Sequence, residues 1–415
     1  MTDHPDDDSD IGATPGHEGA DRPVIRLRPK ADARRLRHGH PWAFADELVL
    51  DRRTKALAPG AVAVLEDAAR TPLATVAVNP GSKIAARVLD PDPTARIDRD
   101  WIAARVSTAL AHRDRLYDRP FYRLIHAEAD GLPGVVVDRF GDILSLQPNA
   151  AWAETLLDPL TDALTSVTGC RTVVKNAASR GRALEGLDAG GGVIRGQVDG
   201  PVEVEMNGAR YMADLIGGQK TGLFYDQRET HAFVARLADG AEVLDVFTHV
   251  GGFALAALAR GATSALAVDS SAPALDLAAR GAAASGTADR FETRQGDGFD
   301  TMAALGDEGR SFDIVISDPP AFAPAKPALE KGLRAYERLA RLAAPLVRPG
   351  GYLVLCSCSH AATLELFRRV SLRGVGRAGR VAQVIHEGRA GPDHPEHPAL
   401  GETGYLKAIV LRLIG

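Results

Sequence analysis

From about residue 216 the chain alternates apolar strands with helical stretches, with little between them. EVLDVF, SALAVD, RFETRQ, FDIVISD and GYLVLCS read as strands, and GFALAALAR, APALDLAARGAAA and GLRAYERLARLAAPLV as helices that follow strands. AQVIHE and YLKAIVLRL close the chain. Strands that each lead into a helix have few ways to bury their apolar surface. Right-handed crossovers stack them into a mostly parallel sheet with helices on both faces. The predicted fold class is therefore α/β, a doubly wound Rossmann-like sheet over residues 216–415. In such sheets ligands bind beyond the carboxyl ends of the strands, so those ends are where chemistry is sought.

Four of these ends carry or closely precede an acid: Asp245, Asp269, Asp297 and Asp318. Asp245 and Phe247 lead into THVGGFALA, where Gly251 and Gly252 permit a sharp turn and a close approach of backbone to ligand. Asp269 and Ser270 close the next strand, 18 residues after Gly251. That spacing suits an acid that bonds a ribose diol. Asp297, in QGDGF, stands where an adenine amino group could be read. Any one of these aspartates would also serve as a helix cap; their succession, with a glycine turn at the first, favours a nucleoside site. Neither GxGxxG nor GxxxxGK[ST] is present, which disfavours a dinucleotide or a nucleoside triphosphate. A nucleoside cofactor without a pyrophosphate points to S-adenosylmethionine.

Asp318 opens SDPPAFAPAK, where two prolines stiffen the turn and Phe322 offers a stacking surface. LVLCSCSH holds Cys356 and Cys358, two of the three cysteines. Two apart on a strand, they share a face. A metal site would need more ligands than this pair and His360 supply, and a disulfide at this separation would be strained. No metal is expected. Cys356 lies inside the strand and reads as packing; Cys358 lies at the strand's exit, beside the strand that carries Asp318.

The chain before residue 216 has a different rhythm. The first 20 residues carry six acids and no Lys or Arg, so residues 1–22 read as a disordered acidic tail. Residues 23–90 show short strands, among them VIRLR, ELVL, AVAVLED, LATVAV and AARVLD, and read as a small β-barrel-like domain. DPDPTARID reads as a linker. Residues 99–210 mix helices with strands and end in a hairpin across Asn207-Gly208; they read as a small α+β domain. The net charge of −5 does not mark a nucleic-acid binder, yet Arg26, Lys30, Arg34, Arg35 and Arg37 cluster in one stretch and form a candidate phosphate-binding patch. Three cysteines and no signal peptide make the cytoplasm the expected compartment, and no apolar run is long enough to span a membrane.

Taken in order, GHPWAFADEL, LIHAEADGLPGVVVDRFGD, GGQKTGLFYDQRE, LDVFTHVGGFALAA, AVDSS, SDPPAFAPAK, CSCS and DHPEHPALGETGYLK resemble the bacterial class I adenosylmethionine-dependent methyltransferases that make 5-methylcytosine in 23S ribosomal RNA. The resemblance covers almost the whole chain after the acidic tail. THVGG stands where that family has a tyrosine-threonine before the glycines. The resemblance implies an amino-terminal PUA domain that binds RNA, a central α+β domain and a Rossmann-like core. It also implies large-subunit ribosomal RNA as partner, with a homodimer allowed for. It makes Cys358 the nucleophile that adds to C6 of cytosine, and Asp318 the group that holds the base edge beside the cofactor. Asp245, Phe247, Gly251, Asp269, Ser270 and Asp297 fall at its cofactor positions. Two alternatives stay open: a guanine methyltransferase that needs no cysteine, and an assembly factor that binds RNA and adenosylmethionine without catalysis.

Overall fold

The computed structural model of the protein describes residues 22–218 and 222–414. The acidic tail expected before residue 22, and Lys220 within GGQKTG, lie outside the described residues. Three sheets follow one another along the chain. The first has five strands, in the order Val24–Arg26, Ala61–Glu66, Pro72–Val78, Ala86–Asp90, Trp42–Ala43, with only the first pair parallel. It closes over Ile25, Leu65, Val76 and Val78. ELVL does not form the expected strand. Ala45–Glu47 is a 3₁₀ turn, and only the single bridge Leu27–Leu48 remains. Glu47 is the reason: its carboxylate accepts the Phe44 amide at 2.8 Å and the Arg35 guanidinium at 2.7 Å, which folds the segment back on itself.

The second sheet also has five strands, ordered Gly192–Arg195, Thr172–Lys175, Ile143–Pro148, Val135–Phe140, Phe121–His126. The helices Arg99–Leu116 and Leu157–Thr168 pack together over a core of Ile102, Leu146, Trp152 and Leu164. The hairpin Val202–Met206 and Ala209–Ala213 turns at Asn207 and Gly208, both with positive φ as a type I′ turn requires. This hairpin is a two-stranded ladder of its own, not hydrogen-bonded into the sheet before it. Val204, Met206 and Tyr211 join the core of the third sheet, and the Tyr211 hydroxyl donates to the Gly252 carbonyl at 3.2 Å.

The third sheet carries the site. Its strands are β1 (Glu242–Val246), β2 (Ser264–Asp269), β3 (Phe291–Gln295), β4 (Phe312–Ser317), β5 (Val347–Ser357), β6 (Ala382–Gly388) and β7 (Lys407–Leu413). They lie in the order β3-β2-β1-β4-β5-β7-β6, all parallel except β7. The helices are α1 (Arg228–Ala235), α2 (Gly252–Ala259), α3 (Ala272–Ala284), α4 (Gly298–Asp307), α5 (Leu329–Ala343) and α6 (Leu364–Arg377). The first three cover one face of the sheet and the last three the other. Central strands are buried on both faces, which is why they read as continuous apolar runs. The register pairs Val246 with Val268 and Ser317, and Ser317 with Leu355, so the ends of β1, β2, β4 and β5 line up along one edge.

One buried junction ties the second sheet to this domain. Asp393 accepts the Arg123 amide at 3.0 Å and His394 Nδ1 at 2.9 Å. Its own carbonyl accepts the Arg113 guanidinium at 2.9 Å, while Arg113 holds Asp130 at 2.6 and 2.7 Å. Among the described residues no helix is long and apolar enough to cross a membrane.

Candidate active site

At the end of β1 the chain turns under strain. Phe247 and His249 both lie in the left-handed region, at φ +66° and +52°, which a side chain disfavours. Gly251 follows at φ +87°, and a Cβ there would stand 2.9 Å from Leu255. Asp245 is buried beneath this loop. Its Oδ2 accepts the Thr248 hydroxyl at 2.6 Å and the Ala254 amide at 3.0 Å. Its Oδ1 is buried with no protein partner. Burial pushes the carboxyl up to about 6; the Thr248 and Ala254 bonds oppose the rise and the Asp269 charge adds to it.

Asp269 braces the same loop. One oxygen accepts the His249 amide and the other the Ser271 amide, each at 2.9 Å. Each oxygen keeps a further lone pair for a ligand. Beside it, the Ser270 carbonyl accepts Gln295 Nε2 at 3.2 Å. Asp297 is exposed and caps α4, with Oδ1 accepting the Phe299 and Asp300 amides at 2.9 and 3.1 Å. The structural use of aspartate as a cap is thus realised there. The Phe247 ring lies so close to Gly298 that a Cβ would come within 2.4 Å of it. From Phe247 an aromatic row continues through Phe299 and Phe322 to Tyr336, with ring centroids 6.3, 5.8 and 4.9 Å apart.

Asp318 and Cys358 come just after the ends of the neighbouring strands β4 and β5. Asp318 Oδ2 accepts Gln227 Nε2 at 3.1 Å. Gln227 is buried just ahead of α1 and leaves its Oε1 without a partner. Cys356 is fully buried among Val354, Ala408 and Val410, and burial raises its thiol well above the ordinary range. Cys358 is half-buried, and none of the three cysteines is in a disulfide. The chain on either side of it is pinned. The Ser357 hydroxyl donates to Tyr336 Oη at 2.8 Å, the Tyr336 and Ser359 hydroxyls meet at 2.7 Å, and Ser359 Oγ accepts the Ala323 amide at 2.9 Å. Lys407, paired with Ser357 across the β5–β7 ladder, is buried and donates Nζ to the Ser359 carbonyl at 2.7 Å. Burial lowers its pKa, while the charge of Cys358 raises it.

The amino-terminal basic cluster is largely self-neutralised. Arg26 pairs with Glu66 at 3.0 Å, Arg35 with Glu47 at 2.7 Å and Arg37 with Asp67 at 2.7 Å. Lys30 and Arg34 are left without an acidic partner among the described residues. Sequence reasoning missed Gln227, Lys407 and Phe299. Gln227 and Lys407 both lie inside segments that carry the family resemblance, Gln227 in GGQKTGLFYDQRE and Lys407 at the end of DHPEHPALGETGYLK, but neither was singled out, because its role depends on where those segments are laid against the strand ends. Among the described residues no cluster of His, Cys, Asp or Glu could hold a metal.

Residues 160–412 match the family described as S-adenosylmethionine-dependent methyltransferase, and residues 25–91 a PUA-like domain. The ribosomal RNA large subunit methyltransferase I of Cronobacter sakazakii is 33% identical over 93% of this chain and 98% of its own length. That of Shewanella denitrificans is 34% identical over 94% and 99%. A ribosomal RNA large subunit methyltransferase of Deinococcus radiodurans is 35% identical over 94% and 98%. The chain belongs to this methyltransferase family. A solved methyltransferase complexed with SAH shares the fold, with a TM-score of 0.78 at 18% identity over 94% of this chain and 99% of that one. S-adenosylmethionine fits the residues of this methyltransferase. A glycine stands where a Cβ would block the turn, and an unpartnered carboxylate oxygen lies under it.

Proposed function

We propose that the enzyme methylates C5 of a cytosine in large-subunit (23S) ribosomal RNA through a transient bond between Cys358 and C6. The observation that carries this reading is the setting of Cys358. It is a half-buried thiol at the exit of β5, next to the strand end that bears Asp318, with the buried ammonium of Lys407 close by. The relatives' names supply the RNA.

C5 of cytosine is a weak nucleophile, so a thiolate must first add to C6 and make the ring an enamine. Lys407 favours the thiolate by charge. Asp318 accepts hydrogen bonds from N4 and from N3 as that nitrogen gains a proton, a charge-assisted contact that strengthens as the adduct forms. Gln227 holds the carboxylate in place. When bound, S-adenosylmethionine supplies the electrophilic methyl group. A base then takes the C5 proton, C5=C6 reforms, and the Cys358 thiolate leaves. Ring chemistry requires an unstacked base, and Phe322 offers a face for it. Lys30 and Arg34 on the PUA-like domain remain available to phosphates.

Ribosomal RNA carrying 5-fluorocytidine tests the reading, because fluorine at C5 cannot leave as a proton. With S-adenosylmethionine present, an RNA–protein adduct on the peptide holding Cys358 is expected. An adduct on Cys356 would reassign the nucleophile. Transfer without any adduct would sink the covalent route and favour a guanine target.

Asp245 gives the cofactor step a pH signature. With its carboxyl raised to about 6, it is ionised at pH 7 and protonated below about 6. Bound to the amino group of S-adenosylmethionine through the unpartnered Oδ1, it would lose that attraction as pH falls. Calorimetric affinity should be flat from pH 8 to 7 and then fall toward roughly tenfold per pH unit below the transition. A flat affinity down to pH 5 would remove Asp245 from the cofactor contact.

A further inference from the structure

We propose that the joined outer faces of α5 and α6 form the surface that grips the RNA backbone beside the target base. This rests on the reading of RNA as substrate, not on the cysteine chemistry. On α5, Arg334, Arg338 and Arg341 are exposed at helical spacing and make one stripe. On α6, Arg369, Arg373 and Arg377 make a second. The two stripes are contiguous, because Arg373 and Arg377 both reach across to Glu337 of α5. That single carboxylate is shared by two guanidinium groups, so the junction keeps a positive excess. Together the two helices carry eight basic and three acidic residues, an excess of five positive charges in a chain whose net charge is −5.

The stripes lead to the site. The Arg338 guanidinium lies over the Phe299 ring, 4.9 Å from its centroid, and Phe299 neighbours Phe322 in the loop after Asp318. A duplex or loop lying along α5 would thus have phosphates on Arg334, Arg338 and Arg341 while presenting a base to the aromatic row. On the helix pair Arg334 has Glu330 at 4.0 Å and Arg368 has Glu387 at 2.8 Å; on the PUA-like domain three of the five cluster residues pair with Glu66, Glu47 and Asp67. Among the described residues the helix pair thus keeps four cations without an ion-pair partner, Lys331, Arg338, Arg341 and Arg369, against two, Lys30 and Arg34, in that cluster. Contacts of this kind position RNA without reading sequence.

Binding of a ribosomal RNA fragment across a salt series tests the assignment. The triple variant Arg334→Gln, Arg338→Gln, Arg341→Gln changes only exposed side chains, and its circular dichroism confirms the fold. Neutralising three phosphate contacts should lower the slope of log affinity against log salt by about 2 to 3. Affinity should fall at least tenfold, and the methylation rate at saturating RNA should stay near the parent's. Unchanged affinity and slope, with methylation intact, would overturn the surface and leave the face to an acidic protein partner. The same loss appearing only in Lys30→Gln, Arg34→Gln would overturn it too. Failure of the parent enzyme to methylate any RNA would instead reject the substrate reading.

Discussion

Replacing Cys358 with alanine is expected to cut methyl transfer to cytosine by about 10³-fold or more, the scale on which loss of a covalent nucleophile acts. The substituted protein should fold, because the thiol is only half-buried and the pins on its neighbours are made by Ser357 and Ser359, which remain. S-adenosylmethionine should still bind, since the loop after β1 is untouched. Cys356→Ala is the matched control. It removes a sulfur from a closed core and should cost about 1–2 kcal/mol of stability, read as a lower melting temperature, while transfer survives within several-fold. The two substitutions thus separate chemistry from packing on one strand. Label transfer from radioactive S-adenosylmethionine into ribosomal RNA is the measurement. Near-normal transfer by the Cys358→Ala enzyme would remove Cys358 as the nucleophile, and if Cys356→Ala is also active it would mean that the target is not attacked by a cysteine at C6.

Asp318→Asn should be nearly as damaging, at about 10²–10³-fold in single-turnover rate. The amide has the same shape and can still accept the Gln227 bond. What it lacks is charge. A neutral group cannot balance the proton gained at N3 as the ring is attacked, and half of its polar edge becomes a donor facing a donor. The loss should therefore fall on the chemical step more than on RNA affinity. A loss confined to affinity would make Asp318 a holding residue only.

The alternation of strands and helices made the doubly wound class legible, because each buried strand and each amphipathic helix announces itself locally. The order of the strands did not follow from that pattern. The final segment, β7, inserts antiparallel between β5 and β6, a pairing that depends on long-range partners. Residues at strand ends, Asp245, Asp269, Asp318 and Cys358, were visible because topology alone fixes where a strand's carboxyl end lies. Gln227 and Lys407 were not, since each reaches the site from an element distant in sequence. The arginines of the first domain show the same limit in reverse. Their charge is plain in the sequence, but partners some 12 to 40 residues away, Glu47, Asp67 and Glu66, decide how much of it is left. The hairpin at Asn207-Gly208 was recognisable as a turn; its allegiance to the catalytic core was set by Tyr211 and the small residues it packs against.

The junction at Asp393 makes the second sheet and the catalytic sheet mechanically continuous. A buried carboxylate that takes a backbone amide from one sheet and an imidazole from its own loop cannot be pulled out without leaving charge unpaired, which costs several kcal/mol. The two sheets are therefore expected to unfold together, as one calorimetric transition, rather than to swing as beads on a string. The orientation in which the molecule meets its ribosomal target is then set at folding, before any RNA arrives.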